Sequence, residues 1–423
     1  MSLKVVEICA GAGGQSLGLM KAGFEHALAV ELDESAAATL KHNLLLHGEV
    51  DAQVAVGDVA SPEIWTPEDF AGVDLLAGGV PCPPFSVAGK QLGSRDERDL
   101  FAWAVELVGR MRPRAVLLEN VRGLSMPRFA AYRQAVADRL DSMGYWSEWR
   151  LLQASDFGVP QLRPRFVLVA LDRERSSAFA WPEPLEVVPT VGSALRDLMG
   201  ERGWKHVEDW ARGASDIGPT IVGGSKKHGG ADLGPTRARA GWAKLGVDGR
   251  GVANEAPGAD APSATEVMPR LTNEMVARVQ GWGAPGYEWE FLGRKTSVYR
   301  QIGNAFPPPV AAAVGRQIAQ ALTQEAGAVP VGSQVVHDPV YLALRQASSP
   351  LTVDELTAVT ADRLTREQVS KSLRALESDF AMQKIRTDDG TAYRLGDFLA
   401  FQGQVEHARH SYFEDKVLRS RVS

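Results

Sequence analysis

The chain has 423 residues, of which 44% are hydrophobic, so it is long enough to bury one large core or two ordinary domains. A formal net charge of -6 argues mildly against a protein coated with nucleic acid, although local basic stretches can still bind phosphates. Cys9 and Cys82 are too few for a disulfide framework or a metal cluster, and the sequence shows neither a signal peptide nor an apolar run of about 20 residues. We therefore expect a globular cytoplasmic protein without metal or membrane partner.

The first predicted unit is a strand over residues 3–10, which runs into the turn Gly11-Ala12-Gly13-Gly14 and a helix over residues 15–22. Such a turn lets a ligand approach the backbone at the positive end of the helix dipole, as in nucleotide-type sites. Plain connections of this composition also occur, so the motif alone leaves both interpretations open. A second strand over residues 26–30 ends at Glu31, where doubly wound folds hold a ribose diol; an N-cap or a solvated acid is the alternative.

Three further strands are predicted over residues 52–56, 73–77 and 115–118, with a helix over residues 99–111 before the last of them. This alternation predicts a parallel sheet with helices on both faces and ligands at the carboxyl ends of its strands. Polar or reactive side chains follow four of the strands at that edge, namely Glu31, Asp58, Cys82 and Glu119. Together they are a stronger signal than any one of them.

Cys82 lies in the loop Gly78-Gly79-Val80-Pro81-Cys82-Pro83-Pro84-Phe85-Ser86, whose glycines and prolines force a sharp turn directly after a strand. A thiol presented at a strand end, with its pKa lowered by the surroundings, is a candidate nucleophile. An isolated cysteine beside a buried strand is more often a small hydrophobe. The polar residues at the same edge favour the nucleophile.

Five ordered motifs resemble those of the DNA (cytosine-5)-methyltransferase family over residues 4–320. They are Ala10-Gly11-Ala12-Gly13-Gly14, Pro81-Cys82, Glu119-Asn120-Val121, Gln161-Leu162-Arg163-Pro164-Arg165 and Gln301-Ile302-Gly303-Asn304-Ala305. An ordered set is far more specific than a single pattern. The resemblance implies an enzyme that methylates C5 of cytosine in a specific double-stranded DNA sequence, with S-adenosyl-L-methionine as donor and S-adenosyl-L-homocysteine as product.

The resemblance implies that Cys82 adds as a thiolate to C6 of the cytosine, because C5 is a poor nucleophile until the ring is activated. Glu119 would donate to N3 of the ring, and Asn120 would shape its loop. Arg163 and Arg165 resemble the family's pair beside the target base, where a fixed cation orients the base, contacts phosphate and favours the thiolate. Without Cys82 and Glu119, surface arginines on a loop would be the better interpretation.

For the donor, the resemblance implies that the glycine turn approaches the methionine part, Glu31 accepts the ribose hydroxyls and Asp58 binds the adenine amino group. Asn304 resembles a position that closes the donor pocket, although Asn in a turn is also a common structural device. A nicotinamide-dependent enzyme would explain the glycine turn but neither Cys82 nor Glu119. The donor-binding residues predicted in all are Cys9, Ala10, Gly11, Ala12, Gly13, Gly14, Glu31, Leu32, Asp58, Val59, Gly79, Pro81, Leu100, Asn304 and Ala305.

Two positions depart from the family pattern. Cys9 stands where the family usually has an aromatic residue, and this exchange can weaken stacking on the donor. Pro83 follows the catalytic cysteine where Gln is usual. Proline lacks an amide side chain and a backbone N–H, so a contact made there by relatives is not expected here.

Residues 176–268 lack a clean β–α alternation and are predicted to form a target-recognition region, because such an enzyme flips its target base out and reads the flanking bases separately. A glycine-rich basic stretch at residues 223–230 and 237–239 offers phosphate contacts and, through Arg, guanine contacts. A flexible solvated loop is the alternative. The DNA-contacting residues predicted in all are Ser86, Gln161, Lys226, Lys227, Arg237 and Arg239.

Residues 270–301 lead to an alanine-rich helix over residues 310–322, which the resemblance assigns to the end of the donor-binding domain. Beyond a linker, helices are predicted over residues 337–348, 353–359 and 366–378, and a hairpin over residues 382–395. The last helix begins at a capping signal, Thr365-Arg366-Glu367-Gln368. Three helices and a hairpin suggest a winged helix.

The third of these helices carries cations that favour DNA binding, namely Arg366, Lys371 and Arg374. Nearby acids dilute that charge, namely Asp354, Glu355, Glu367 and Glu377. A protein-docking role is the alternative for this part of the chain.

The predicted fold is therefore α/β, a Rossmann-like S-adenosylmethionine-dependent methyltransferase fold with an inserted target-recognition region and a small α+β winged-helix-like domain. The predicted divisions are 1–175 and 269–326 for the catalytic domain, 176–268 for recognition, 327–336 for the linker and 337–423 for the winged-helix-like domain and tail. We expect a nucleoid-associated enzyme of restriction-modification or host protection, with a cognate restriction or defence component as candidate partner. A catalytically idle DNA-binding regulator and a cytosine-5 methyltransferase of RNA are the alternatives.

Overall fold

The computed structural model describes residues 2–81, 98–223, 231–324, 336–360, 363–388 and 390–399. The predicted functional residues Cys82, Ser86, Lys226 and Lys227, and the departure at Pro83, lie outside the described residues. Among the residues described, no helix has the length and apolar character that crossing a membrane requires.

A seven-stranded sheet organises the N-terminal part of the chain. Its strands are β1 (Leu3–Ile8), β2 (Phe24–Glu31), β3 (Gln53–Val56), β4 (Leu75–Gly79), β5 (Ala115–Val121), β6 (Tyr145–Gln153) and β7 (Pro164–Asp172). Their order is β3-β2-β1-β4-β5-β7-β6, and β1 to β5 pair in parallel. The chain reverses its direction of travel across the sheet between β1 and β4, which is where open α/β sheets bind their ligands.

The expectation of an entirely parallel sheet is wrong, because β7 runs antiparallel to both β5 and β6. Only residues 154–163 join β6 to β7. A parallel crossover needs a dozen or more residues, so a connection this short favours antiparallel neighbours. Neither β6 nor β7 is among the strands predicted from the sequence, and together they make the sheet mixed.

Four helices connect the first six strands, namely α1 (Gly14–Lys21), α2 (Glu34–Leu46), α3 (Arg98–Met111) and α4 (Ala130–Ser142). The Asp33 carboxylate caps α2 by accepting hydrogen bonds from the backbone N–H groups of Ser35 and Ala36. The cap residue lies two residues after the end of β2, so α2 begins close to the strand and Glu31 stays at the edge of the sheet.

The next part of the chain is helical and forms a core of its own. Its helices are α5 (Val191–Gly200), α6 (Val207–Gly213), α7 (Thr236–Lys244), α8 (Asn273–Val279) and α9 (Lys295–Asn304). Buried Trp204, Trp210, Trp242 and Trp282 dominate this core, which extends to Ile302. The predicted boundary at residue 268 therefore does not coincide with a change of core.

Helices cover both faces of the large sheet, as predicted. On one face α3 and α4 bury Phe101 and Tyr132. On the other, α1 packs with α10 (Pro308–Thr323), burying Leu19 and Val314. Because both faces are covered, the central strands are nearly continuous apolar runs.

The C-terminal module, residues 336–399 as far as they are described, contains α11 (Pro339–Gln346), β8 (Leu351–Thr352), α12 (Val353–Val359), α13 (Arg366–Asp379), β9 (Gln383–Thr387) and β10 (Gly390–Arg394). The three helices and the hairpin are those predicted, and β8 completes an antiparallel sheet in the order β8-β10-β9. Thr365 and Gln368 form the predicted capping box. The winged-helix assignment itself stays a prediction.

The module packs on α4 of the catalytic part. Arg345 pairs with Asp138 at 2.5 Å, and the backbone N–H of His337 donates to Oε1 of Gln134 at 2.8 Å. The rings of Phe398 and Tyr132 meet edge to face at 5.3 Å. Residues of the module and of the sheet thus share one hydrophobic core.

Candidate functional site

The glycine turn after β1 needs its glycines for two different reasons. Gly11 and Gly13 have φ of 60° and 98°, a left-handed conformation that side chains disfavour. A Cβ atom on Gly13 would lie 2.3 Å from the Trp289 ring, and one on Gly14 would lie 2.4 Å from the Phe306 carbonyl oxygen. At Gly11 the same atom would meet open space. Gly13 and Gly14 therefore permit protein packing, and Gly11 is where a ligand can approach the turn.

Glu31 ends β2 beside this turn and stabilises it. Its Oε2 accepts from the backbone N–H of Gly11 at 2.8 Å, and its Oε1 accepts from that of Asp33 at 2.8 Å. Burial raises the pKa of Glu31, and these two backbone hydrogen bonds oppose the rise. Each carboxylate oxygen keeps a lone pair, so Glu31 can still accept hydroxyl donors.

The other predicted donor-binding residues lie at or near the same edge. Leu32 is 53% exposed, whereas Val59 is buried. Oδ1 of Asp58 accepts from the backbone N–H of Ala60 at 3.0 Å, and Leu100 is half-buried on α3. An exposed apolar side chain beside carboxylates suits an adenosine-like ligand, which has an apolar base face and hydroxyl donors.

The Cys82 loop starts next to Glu119. Gly79 pairs with Glu119 across β4 and β5, and a Cβ atom on Gly79 would lie 3.5 Å from Oε2 of Glu119. Nδ2 of Asn120 donates to the carbonyl of Val80 at 3.2 Å, one residue before the exposed Pro81. The Glu119-Asn120 motif thus fixes the strand end from which the loop leaves.

Glu119 and Arg165 form a buried ion pair, with 2.5 Å between Oε1 and Nε and each side chain 11% exposed. Antiparallel β7 brings Arg165 opposite Val121, two residues from Glu119 on β5. Burial raises the pKa of Glu119, and the charges of Arg165 and Arg163 oppose the rise. A carboxyl group with a raised pKa beside a fixed cation is suited to proton donation.

Arg163 contacts backbone carbonyls and not the Glu119 carboxylate. It is 1% exposed, and its terminal nitrogens donate to the carbonyls of Ile221 at 2.7 Å, Gly303 at 2.8 Å and Ala305 at 2.9 Å. Burial and Arg165 hold its pKa well below the usual range. In this structure Arg163 ties the chain before β7 to the recognition region and to the late Gln301–Ala305 motif.

The residues predicted to contact DNA differ in how exposed their side chains are. Gln161 is completely buried, and its amide bonds Gln280, the Val279 carbonyl and the Ile221 N–H. The Gln161 side chain therefore joins buried segments by hydrogen bonds and has no exposed polar atom that could contact DNA. Arg237 is exposed on α7, and Arg239 is half-buried on the same helix. Asn304 is exposed at the end of α9.

Trp289 is a site residue that the sequence reasoning missed. Its Nε1 donates to the Ala12 carbonyl at 2.8 Å, and its ring stacks on His47 at 5.6 Å. The alternation of aromatic and acidic residues in Tyr287-Glu288-Trp289-Glu290-Phe291 was the available signal. Nothing in that spacing links the segment to a turn more than two hundred residues earlier.

A buried polar cluster supports the first two strands. The His26 ring lies between Glu7 and Glu49, 3.0 Å from Oε2 of each, and Ser16 at the start of α1 donates to Glu7 at 2.7 Å. Burial disfavours the imidazolium, but the bonds to Glu49 and Glu7 outweigh it and raise the pKa of His26 to about 9.

This cluster should make stability depend on pH. The pKa of His26 is about 9 in the folded state and about 6.5 in the unfolded state. Protonated His26 therefore stabilises the fold fully below pH 6.5, and this stabilisation is lost as the pH rises through about 9. We expect the free energy of unfolding to fall by up to about 3 kcal/mol across that window and His26→Gln to remove this part of the fall. Urea unfolding at both ends of the window measures it. Equal pH slopes for wild type and variant would contradict the assignment.

Comparisons with known proteins agree with the predicted family. A family model described as C-5 cytosine-specific DNA methylase matches residues 3–320. The Type II methyltransferase M.NaeI of Lentzea aerocolonigenes is 58% identical over 415 residues, covering 97% of this chain and 98% of that protein. The Type II methyltransferase M.NgoMIV of Neisseria gonorrhoeae is 46% identical over 329 residues, covering 77% of this chain and 100% of that protein.

Among solved structures, Spodoptera frugiperda DNMT2 superposes with a TM-score of 0.51 at 18% identity, covering 75% of this chain and 100% of that chain. At this identity the likeness shows the fold alone, an α/β fold with a mixed sheet. The C-terminal module lies beyond residue 320, where the family match ends.

Proposed function

Because this chain belongs to the C-5 cytosine-specific DNA methylase family, we propose that it methylates C5 of cytosine in a specific double-stranded DNA sequence through a Cys82–C6 adduct on a flipped-out base. The observation that supports this most is the buried Glu119–Arg165 pair, held beside the strand end from which the Cys82 loop leaves. The names of the Type II relatives support a role in restriction-modification or host protection, with a cognate restriction or defence component as partner.

The proposed reaction begins when the Cys82 thiolate adds to C6 and forms a sulfur–carbon bond, which pushes electron density onto the ring. Glu119 donates to N3, so the ring carries less charge, and Arg165 keeps the Glu119 carboxyl oriented. C5, now enamine-like, accepts a methyl group. Loss of the C5 proton to water and expulsion of the Cys82 thiolate then restore the C5–C6 double bond, and the proton on N3 returns to Glu119.

S-adenosyl-L-methionine, when bound, supplies the electrophilic methyl group and leaves as S-adenosyl-L-homocysteine. The residues present fit it, because the open space at Gly11, the spare lone pairs of Glu31 and the exposed Leu32 meet at the switch point of the sheet. Gly11 would border the methionine part, Glu31 would accept the ribose hydroxyls and Asp58 would hold the adenine amino group.

The DNA-facing part of the proposal rests on the helical region. Arg237 is exposed on α7, at the described end of the basic stretch, and can contact phosphate or guanine. Gln161 and Arg163 are better described as positioning residues, because their polar groups hold the recognition region against the late motif.

The experiment that tests the proposal measures transfer of labelled methyl groups to unmethylated DNA and RNA pools, followed by mapping of the modified base. We expect label at C5 of cytosine in one DNA sequence and none with Cys82→Ser. A duplex with 5-fluorocytosine at the target should remain attached to the wild-type protein, because fluorine cannot leave C5 as a proton, and not to Cys82→Ser. Label in RNA only would favour the RNA alternative, and tight donor binding without any transfer would favour the idle regulator.

A further inference from the structure

The helix α13 of the C-terminal module turns a polar face to solvent. It buries Val369, Leu373 and Leu376. Lys371 lies on the opposite side of the helix from these residues, and Arg374 follows one turn later; both are exposed. This face takes no part in holding the module's core.

An ion pair extends this face to the hairpin. Glu377, one turn after Arg374, pairs with Lys384 of β9 at 2.9 Å. Arg386 is two residues further along β9, so it points to the same face of the sheet as Lys384, and it is exposed. The exposed cations Lys371 and Arg374 of α13 and Lys384 and Arg386 of β9, two elements joined by the Glu377–Lys384 pair, are called here the cationic strip.

Three of the four acids that dilute this charge in the sequence are engaged in the structure, and the fourth, Glu367, is exposed on α13 one turn before Lys371. Asp354 pairs with Arg366, and Glu377 pairs with Lys384. Glu355 accepts from the N–H and hydroxyl of Thr352 in a capping box. By contrast, Lys371, Arg374 and Arg386 form no ion pair with any residue that the structure describes. Each of these ion pairs also neutralises a cation, so the positive charge that the strip offers comes from Lys371, Arg374 and Arg386 and is reduced by the exposed Glu367.

The strip is also left uncovered by the catalytic part. The polar and aromatic contacts to α4 come from His337, Arg345 and Phe398. The helix α13 also packs on α4, but its Lys371 and Arg374 stay exposed. The family match ends before the module, and a relative matched over its full length covers only about three quarters of this chain. The module thus lies outside the family match and packs on the catalytic part with a charged face exposed.

We propose that the cationic strip is a second DNA-binding surface, which holds duplex DNA through its phosphates. Three unpaired cations on a helix and an adjoining hairpin match the charge of a duplex backbone. A duplex is favoured over an acidic protein because the proposed function, on which this inference rests, already brings that polyanion to the enzyme. The contact would add affinity that does not depend on cytosine.

The test uses the full chain and a labelled duplex of about 30 bp made only of A·T pairs, which contains no target base. Fluorescence anisotropy is measured between about 50 and about 200 mM salt. We expect the double variant Lys371→Glu/Arg374→Glu to bind at least about tenfold more weakly and to lower the slope of log affinity against log salt by about 2, because two phosphate contacts are lost. The charge-preserving variant Lys371→Arg/Arg374→Lys should bind like wild type.

A matched control, Lys41→Glu/Arg316→Glu, makes the same change in net charge at exposed positions of α2 and α10. The inference is overturned if the control variant weakens binding as much as the strip variant does. It is also overturned if the strip variant binds like wild type, and that result would favour a protein partner for the strip. Thermal unfolding confirms that each variant is folded. Strip-dependent binding without methyl transfer to cytosine would overturn the proposed function and not this inference.

Discussion

Replacing Glu119 with Gln is expected to slow methyl transfer by about 10²–10⁴-fold, the range typical of a lost general acid. The amide has nearly the same shape and can accept a hydrogen bond from Arg165, but it cannot deliver a proton to N3 of the ring. Single-turnover transfer to the mapped DNA sequence measures the effect. Binding of the methyl donor, which depends on the other side of the switch point, should change little.

The pH dependence separates this role from a structural one. Burial raises the pKa of Glu119, so its protonated form persists to higher pH than that of an ordinary carboxyl. The rate of wild-type protein should fall as pH rises through that pKa, and Glu119→Gln should lack this limb. The exposed Glu174 provides the control, because Glu174→Gln removes an acid of the same kind without touching the site. A Glu119→Gln enzyme that keeps more than about a tenth of the wild-type rate would refute the proposed role.

The sequence predicted the parallel part of the fold well because β1, β4 and β5 are buried on both faces. Strands of this kind are short apolar runs, which the sequence pattern identifies directly. Glu31 and Glu119 are recognisable as the polar residues that follow apolar runs, although the structure places both within strands: Glu31 is the last residue of β2, and Glu119 lies two residues before the end of β5. The capping box at Thr365 was equally local and was confirmed.

What could not be predicted depends on contacts between distant segments. The antiparallel β7 is fixed by pairing with β5, and that pairing brings Arg165 to Glu119. Trp289 reaches the glycine turn only because residues 271–302 fold with the recognition region. The contacts of the Gln161–Arg165 motif could not be predicted from its sequence either. Its spacing identifies a family, but only packing shows that Arg165 faces Glu119 while Gln161 and Arg163 point into the interior.

Replacing Arg163 with Met is expected to lower the free energy of unfolding by about 3–5 kcal/mol, the cost of breaking a buried, charge-assisted network from one side. The guanidinium is 1% exposed and is the donor for three carbonyls on two separate segments. Met fills much of the volume but leaves those carbonyls without a donor, which is costly in a buried site. Urea unfolding measures the loss.

The same variant decides between two roles for Arg163. The family resemblance implies a cation beside the target base, whereas the structure engages both terminal nitrogens in backbone contacts. If positioning is its role, Arg163→Lys should be intermediate in stability, since an ammonium cannot reproduce the forked donor geometry, and activity should follow the folded fraction. Arg175 is the matched control, because it bonds a single carbonyl, that of Leu322, at 3.1 Å and pairs with Asp172; Arg175→Met should cost about 1 kcal/mol. If the Arg163→Met protein is as stable as wild type but cannot transfer methyl groups, the result would contradict the positioning role and support a contact between Arg163 and the target base.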